Sequence, residues 1–301
     1  MTEKQAEYKQ TENNHTDQKP LIQWYPGHMA KAKRRIDQDM DIVDIIIEVA
    51  DARAPLSSIN PDIRAYAKRK GHVLLFNKED LADPQQTKLW LKEYRHQGLI
   101  PVAINSLHKQ GLRYLSAAVE EAAEPLYARL KARGRLPRAV RAMVIGVPNC
   151  GKSTVINALA PTAAAKTGNM PGVTKGRQWV KTNIGLELLD TPGILWPRFA
   201  TYDTAFKLAV LGCISDLVYP VYQVAVDLTL WLAEHAPDAV RERYRLIELP
   251  KTAEEILWAI GAKRGLLGAG GIVRTEDTAL LLMQEFRGGK LGRHTLDKFR
   301  A

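Results

Sequence analysis

An α/β architecture followed by a smaller all-α C-terminal domain is predicted by three features of the sequence. Short apolar runs alternate with amphipathic stretches from residue 40 to 106, a further buried run at 141–147 ends in a Gly-rich turn, and the strand signal disappears after residue 200. Such alternation is the grammar of parallel βαβ units, where each strand is covered on both faces and each crossover is a helix.

Taken in order, IVDIIIEVAD (42–51), HVLLFNK (72–78) and LIPVAINS (99–106) read as strands. PDIRAYAKRK (61–70) and PQQTKLWLKEYRHQG (84–98) read as helices between them, and Pro61 and Pro84 suit first turns, where the missing N–H has no intrahelical partner to lose. A longer helix over 112–133 leads through a connector at 134–138 into the strand RAMVIGV (141–147). ELLDTPG (187–193) is another apolar strand ending in a loop, and beyond 200 the pattern is helical, with TAEE (252–255) forming a capping box. The apolar stretch 217–233 falls short of the roughly 20 residues a bilayer span needs and contains Pro220, Gln223 and Asp227, so it reads as a buried helix and no membrane association is expected. Residues 1–20 hold no apolar run and carry Glu3, Glu7, Glu12 and Asp17, which excludes a secretory signal or an Arg-rich transit peptide. The division expected is a disordered polar tail at 1–20, an α/β domain at 21–200 and a helical domain at 201–301.

Hydrophobic residues at 46% and charged residues at 25% are globular values, which excludes a disulfide miniprotein and a disordered chain. The two cysteines, Cys150 and Cys213, fit a reducing compartment, with the cytoplasm expected and no disulfide. Forty-three Lys and Arg against 33 Asp and Glu leave a net charge of +10, which favours polyanionic partners, nucleic acid first among them, although a solubilising surplus accounts for it equally.

GVPNCGKS (146–153) fits G-x-x-x-x-G-K-[ST] between a buried strand and a helical pattern, the context of a phosphate-binding P-loop. Gly146 and Gly151 let the backbone of Asn149, Cys150, Gly151 and Thr154 turn its amides and the helix N-terminus to the phosphates. Lys152 reaches the β and γ phosphates, and the Ser153 hydroxyl ligates Mg²⁺. In DTPG, Asp190 holds Mg²⁺ through water and the amide of Gly193 meets a γ-phosphate; in the intervening loop GNMPGVTKG (168–176), Thr174 can turn its hydroxyl to the same ion. FNKED (76–80) supplies base selectivity: Asn77 addresses the O6/N7 side of guanine, Lys78 lays its stem over the ring, and Asp80, beside Glu79, accepts the N1 and N2 hydrogens that adenine lacks. Asn105 and Ser106 close the next strand where a loop can brace the guanine O6. GTP and GDP with Mg²⁺ are therefore the expected ligands.

The guanine motifs precede the P-loop, the reverse of an ordinary small GTPase, so the fold expected is a P-loop GTPase domain with circularly permuted motif order. IQWYPGHMAKAKR (22–34), Asp51 to Pro55 (DARAP), NKED, GVPNCGKST, PGVTKG and DTPG, in that order, resemble the circularly permuted ribosome-biogenesis GTPases over about residues 20–301. The resemblance implies a GTP-hydrolysing factor that acts on a late large-subunit (50S) precursor, with rRNA and ribosomal proteins as partners and turnover stimulated by the subunit; a monomer is expected. An alternative is an RNA-binding module that GTP stabilises and in which hydrolysis is incidental, because Ile194 stands where Ras-like proteins place a water-orienting Gln. The resemblance offers His28 as the replacement catalytic group, while a structural His in a Pro-Gly loop is the other reading. Asn149 resembles the Asn with which some GTPases hold K⁺, or else makes ordinary loop hydrogen bonds. Trp24 and Tyr25 interleaved with Lys31, Lys33, Arg34 and Arg35, and the terminal RGGKLGRHTLDKFRA, suit RNA contact or a solvated basic face.

Overall fold

The computed structural model describes residues 34–63, 70–161, 179–191, 193, 195–196 and 199–299. Six strands form one sheet: β1 (Ile45–Asp51), β2 (Gly71–Asn77), β3 (Ile100–Ile104), β4 (Val140–Gly146), β5 (Trp179–Lys181) and β6 (Leu186–Asp190), in the spatial order β3-β2-β1-β4-β6-β5. All neighbours run parallel except β5, which is antiparallel to β6. Strand β1 is buried at all seven positions, as a central strand covered on both faces must be, and Ile45, Ile46, Ile47 and Val49 pack into the main core. The three-residue β5 was not signalled by the sequence, because one buried position between two exposed ones is too short a run to show a period.

The crossovers are α1 (Pro84–His96), α2 (Leu112–Ala132) and α3 (Lys152–Leu159). Helix α1 starts where predicted: Asp83 accepts from the amides of Gln85 and Gln86, and Pro84 occupies the first turn. Of the helix expected at 61–70, residues 64–69 lie outside the described residues.

Five helices follow: α4 (Tyr202–Val210), α5 (Val221–His235), α6 (Pro237–Tyr244), α7 (Ala253–Lys263) and α8 (Thr275–Arg287), with α5 packed on both α7 and α8. The capping box is made at both ends, Thr252 Oγ1 accepting from the Glu255 amide at 3.2 Å and Glu255 Oε2 from the Thr252 amide at 3.1 Å. The buried helix read over 217–233 begins only after Pro220, and Leu217 stands 94% exposed in the turn before it. Among the described residues no helix is long and apolar enough to cross a membrane. Cys150 and Cys213 are buried free thiols, and burial pushes Cys213 up to about 12.

The terminal basic segment is tied to the α/β half. After α8 the chain returns to the α/β half, where the His294 amide donates to Leu81 O at 3.0 Å, the Leu296 amide to Arg53 O at 2.7 Å, and Trp90 Nε1 to Asp297 O at 2.9 Å. Leu291, Thr295, Leu296 and Asp297 are buried, and Arg293 is bound to the carbonyls of Ala82 and Glu79. Apolar residues between the charges pack the segment as a strap, while Lys290, Arg293 and Lys298 stay exposed.

Candidate active site

From β1 the chain moves outward through β2 to β3, then returns to place β4 on the other side of β1. The strand order therefore reverses between β1 and β4, and in open α/β sheets ligands bind in the crevice at the carboxyl ends of strands at such a reversal. The loops leaving β4, β1, β2 and β6 at that edge contain the P-loop, Asp51, NKED and DTPG respectively. Permutation changes the order of the loops along the chain and leaves them on one edge.

Gly146 (φ +152°), Asn149 (φ +58°) and Gly151 (φ +99°) curl the P-loop into α3. Both glycines are also demanded by space: a Cβ would lie 2.1 Å from Val49 O at Gly146 and 2.2 Å from Asn77 Nδ2 at Gly151. Buried Lys152 donates from Nζ to Val147 O at 2.9 Å and Gly146 O at 3.2 Å, holding the loop's own carbonyls. Gly193 is pressed against the same loop, since a Cβ there would lie 2.7 Å from Pro148 Cα and 3.0 Å from Lys152 Nζ.

The guanine motif is bonded directly to the P-loop. Asn77 is buried, donates from Nδ2 to Cys150 O at 3.0 Å and accepts at Oδ1 from the Ser106 amide at 3.1 Å. Its side chain thus clamps three loops and leaves one amide hydrogen for a base. Lys78, itself at φ +61°, donates to Asn149 O at 2.7 Å and to Asp51 Oδ2 at 3.0 Å. Glu79 and Asp80 occupy the next turn, half-buried; burial raises the Glu79 carboxyl against the pull of Arg293. Buried Asn105 accepts from the His108 amide at 3.1 Å, shaping the loop that carries Ser106.

Several residues essential to this geometry carried no assigned role from sequence. Arg53 is 2% exposed and grips Asp51 with a two-pronged contact, Nε to Oδ1 and Nη2 to Oδ2, each 2.9 Å. Burial alone would raise the Asp51 carboxyl, but the Arg53 and Lys78 cations overcome it and hold the group well below the usual carboxylate range. Arg53 also donates to Arg287 O at 3.0 Å, and Arg287 bonds Val210 O, Ala209 O and both carboxylate oxygens of Asp216. Asn149 Nδ2 donates to Gly212 O at 2.6 Å, so that amide is turned to the helical region in this structure. A cleft of about 810 Å³ lies between the two halves, lined by Arg53, Lys78 and Asn149 on one side and Gly212, Asp216 and Arg287 on the other. The Asp-x-Arg spacing at the end of β1 was the one available signal; Arg287 had none.

Ser153 and Thr154 sit half-buried in the first turn of α3, and buried Asp190 ends β6, directly beside β4. A hydroxyl and a carboxylate flanking a glycine cradle are a donor set that fits Mg²⁺ bound to a nucleotide, with phosphate and water oxygens completing the octahedron. Arg34 is exposed and Arg35 half-buried on the helical residues 34–39. Trp24, Tyr25, His28, Lys31, Lys33, Thr174 and Ile194 lie outside the described residues.

A family model described as 50S ribosome-binding GTPase matches residues 141–252. The chain is 44% identical to ribosome biogenesis GTPase A of Priestia megaterium, across 92% of this chain and 96% of that protein, and 34% identical to that of Thermotoga maritima, across 92% and 94%. The crystal structure of GNP-bound YlqF from T. maritima matches with a TM-score of 0.61 and 29% identity, covering 89% of this chain and 98% of the other. The permuted edge described above and these relationships lead to one assignment: the chain belongs to the ribosome biogenesis GTPase A family and is a circularly permuted P-loop GTPase.

Proposed function

We propose that this GTPase is an assembly factor acting on a late large-subunit (50S) precursor in the cytoplasm, through contacts to rRNA and ribosomal proteins, with turnover stimulated by the subunit. The observation that supports it most is kinship with proteins named ribosome biogenesis GTPase A across 92% of the chain. The bonded path from the P-loop through Asn149 and Gly212 into the helical half is consistent with such coupling. In this reading residues 21–200 hydrolyse GTP and the helices of 201–301 respond to loss of the γ-phosphate, the protein acting as a monomer.

Bound Mg²⁺ would neutralise charge on the transferring phosphoryl group. Ser153, Thr174 and Asp190 would hold it, Lys152 and the amide of Gly193 would bind the γ-phosphate, and Asp80 would select guanine. His28, brought in on the ribosome, would orient the water that Ile194 cannot. K⁺ beside Asn149 would add a second cation once its amide leaves Gly212; equal turnover in Na⁺ and K⁺ would exclude that role.

The test is GTP turnover in KCl with and without purified large subunits, with ATP as control. A large subunit-dependent rise confined to GTP is expected. GTP binding with turnover that subunits leave unchanged favours the second reading, a GTP-stabilised RNA-binding module, for which apolar Ile194 is the supporting observation.

A further inference from the structure

The joint that circular permutation creates is the segment 129–141, RLKARGRLPRAVR, which closes α2 and opens β4 with six basic residues and no acidic one. Residues 131–139 are all exposed, Leu136 at 87%. Two of the six cations are committed: Arg138 forks onto both carboxylate oxygens of Asp44 at 2.7 and 2.8 Å, and Arg141 pairs with Glu187 at 3.1 Å. Arg129, Lys131, Arg133 and Arg135 make no ion pair with any described residue. The Arg141 guanidinium also lies over Trp179, 5.4 Å from the ring, and exposed Lys181 stands beside Glu187 on β5.

Cations at a helix C-terminus complement its dipole, which gives Arg129, Lys131 and Arg133 a purely structural explanation. That explanation does not reach Arg135, which follows the left-handed Gly134, nor a connector pinned in place by Arg138. The four uncommitted cations lie on and just beyond one helix end, within reach of successive phosphates of one polyanion.

We infer that the 129–141 connector, through Arg129, Lys131, Arg133 and Arg135, is a second RNA-docking surface that grips the phosphate backbone of rRNA. The nature of the polyanion rests on the ribosomal reading above. An anionic membrane is the poorer fit, because surface insertion needs a broad apolar face and the connector offers Leu136 alone. The surface sits at the amino end of β4, and the P-loop leaves its carboxyl end seven residues later, about 20 Å away at strand rise. RNA bound there leaves the nucleotide edge open, so docking and GTP exchange proceed together.

The full-length protein and a variant carrying Arg129→Gln, Lys131→Gln, Arg133→Gln and Arg135→Gln are titrated with large subunits, with an arbitrary RNA duplex, and with phosphatidylglycerol vesicles, each across a salt series. The slope of log K against log salt should fall by about 3 in the variant, and affinity at 0.1 M salt by about 10²–10³-fold, with GTP affinity unchanged. A variant keeping charge, with Lys in place of the three arginines, should retain the wild-type slope. Wild-type slopes for the Gln variant on both RNA and subunits overturn the surface and leave the ribosomal reading intact. Wild-type binding to the duplex but not to subunits, with the slope loss present, keeps the surface and removes the ribosomal reading; binding to neither, or charge-dependent binding to vesicles alone, overturns the surface.

Discussion

The two ends of the sheet use the same residue types in opposite ways. At the carboxyl end the charges are engaged with one another and mostly buried: Asp51 with Arg53 and Lys78, Arg287 with Asp216, Asp297 with Lys207. At the amino end Arg138 and Arg141 are paired with Asp44 and Glu187, but Arg129, Lys131, Arg133 and Arg135 face water. Buried ion pairs give little net stability, because desolvation offsets attraction, but they fix geometry and are costly to break singly. Exposed cations add almost nothing to the fold and keep their charge for a partner. The contrast separates the arginines that build the GTP site from those available for recognition.

The comparison breaks most sharply at Arg53. Arg53→Met leaves the buried Asp51 with the Lys78 cation and the backbone amide of residue 53 and takes the donor from Arg287 O, so the loss in unfolding free energy should be about 3–5 kcal/mol, read by urea denaturation. The double variant Asp51→Asn/Arg53→Met, which removes both charges, should be closer to wild type. If the double variant loses the sum of what Arg53→Met and Asp51→Asn lose alone, the pair is not coupled and the bracket role fails.

Chemistry at the same edge comes next. With Lys152 in its proposed role at the γ-phosphate, Lys152→Ala should lower the single-turnover rate of GTP hydrolysis about 10²–10³-fold by deleting a cation that would meet the developing phosphoryl charge. With Asp80 in its proposed role as the acceptor of two guanine hydrogens, Asp80→Asn should weaken GTP binding by about 1.5–3 kcal/mol with little effect on fold, measured by titration calorimetry.

Much of this edge was legible before any coordinates. The strands at 42–51, 72–78, 99–106, 141–147 and 187–190 carry apolar runs, and Asp51, NKED, Ser106, the P-loop and DTPG each end or follow one of them, so local pattern and loop position coincide. What was not legible depends on contacts far apart in sequence. Arg53 and Arg287 meet across 234 positions, the Asn77 side chain is taken up by Cys150 and Ser106, and the tail at 291–299 packs because Leu291 and Leu296 join the main core. No spacing rule encodes such pairings. The stretch 134–138 reads as a connector and joins α2 to β4, but only the structure shows that Arg138 is paired with Asp44 while Arg135 has no ion pair among the described residues.

Asp216 offers a finer probe of the engaged end. Burial favours its neutral form, yet hydrogen bonds from Arg287 and Tyr219 win and lower its carboxyl below the usual 3.8. A lowered folded-state value means that the contribution is complete above about pH 4 and is lost as pH falls through that value, so none of it should vary between pH 5 and 8. Asp216→Asn should be less stable than wild type at pH 6 by no more than about 1 kcal/mol, since the pair is partly exposed, and the gap should narrow as the carboxylate is protonated in acid.

The smallest effect belongs to the open end, and its smallness carries the argument. If Arg129, Lys131, Arg133 and Arg135 only capped α2 electrostatically, replacing them by Gln would remove several favourable dipole terms of about 0.3–1 kcal/mol each at low salt. With the cations free in solvent and repelling one another, those terms are offset, and the Gln variant should unfold within about 0.5 kcal/mol of wild type. Repeating the melt in 0.5 M KCl sharpens the distinction, since screening weakens both dipole attraction and mutual repulsion. A destabilisation that shrinks with salt assigns these residues to the helix; stability unchanged at either salt, alongside a reduced salt slope for RNA, assigns them to the partner.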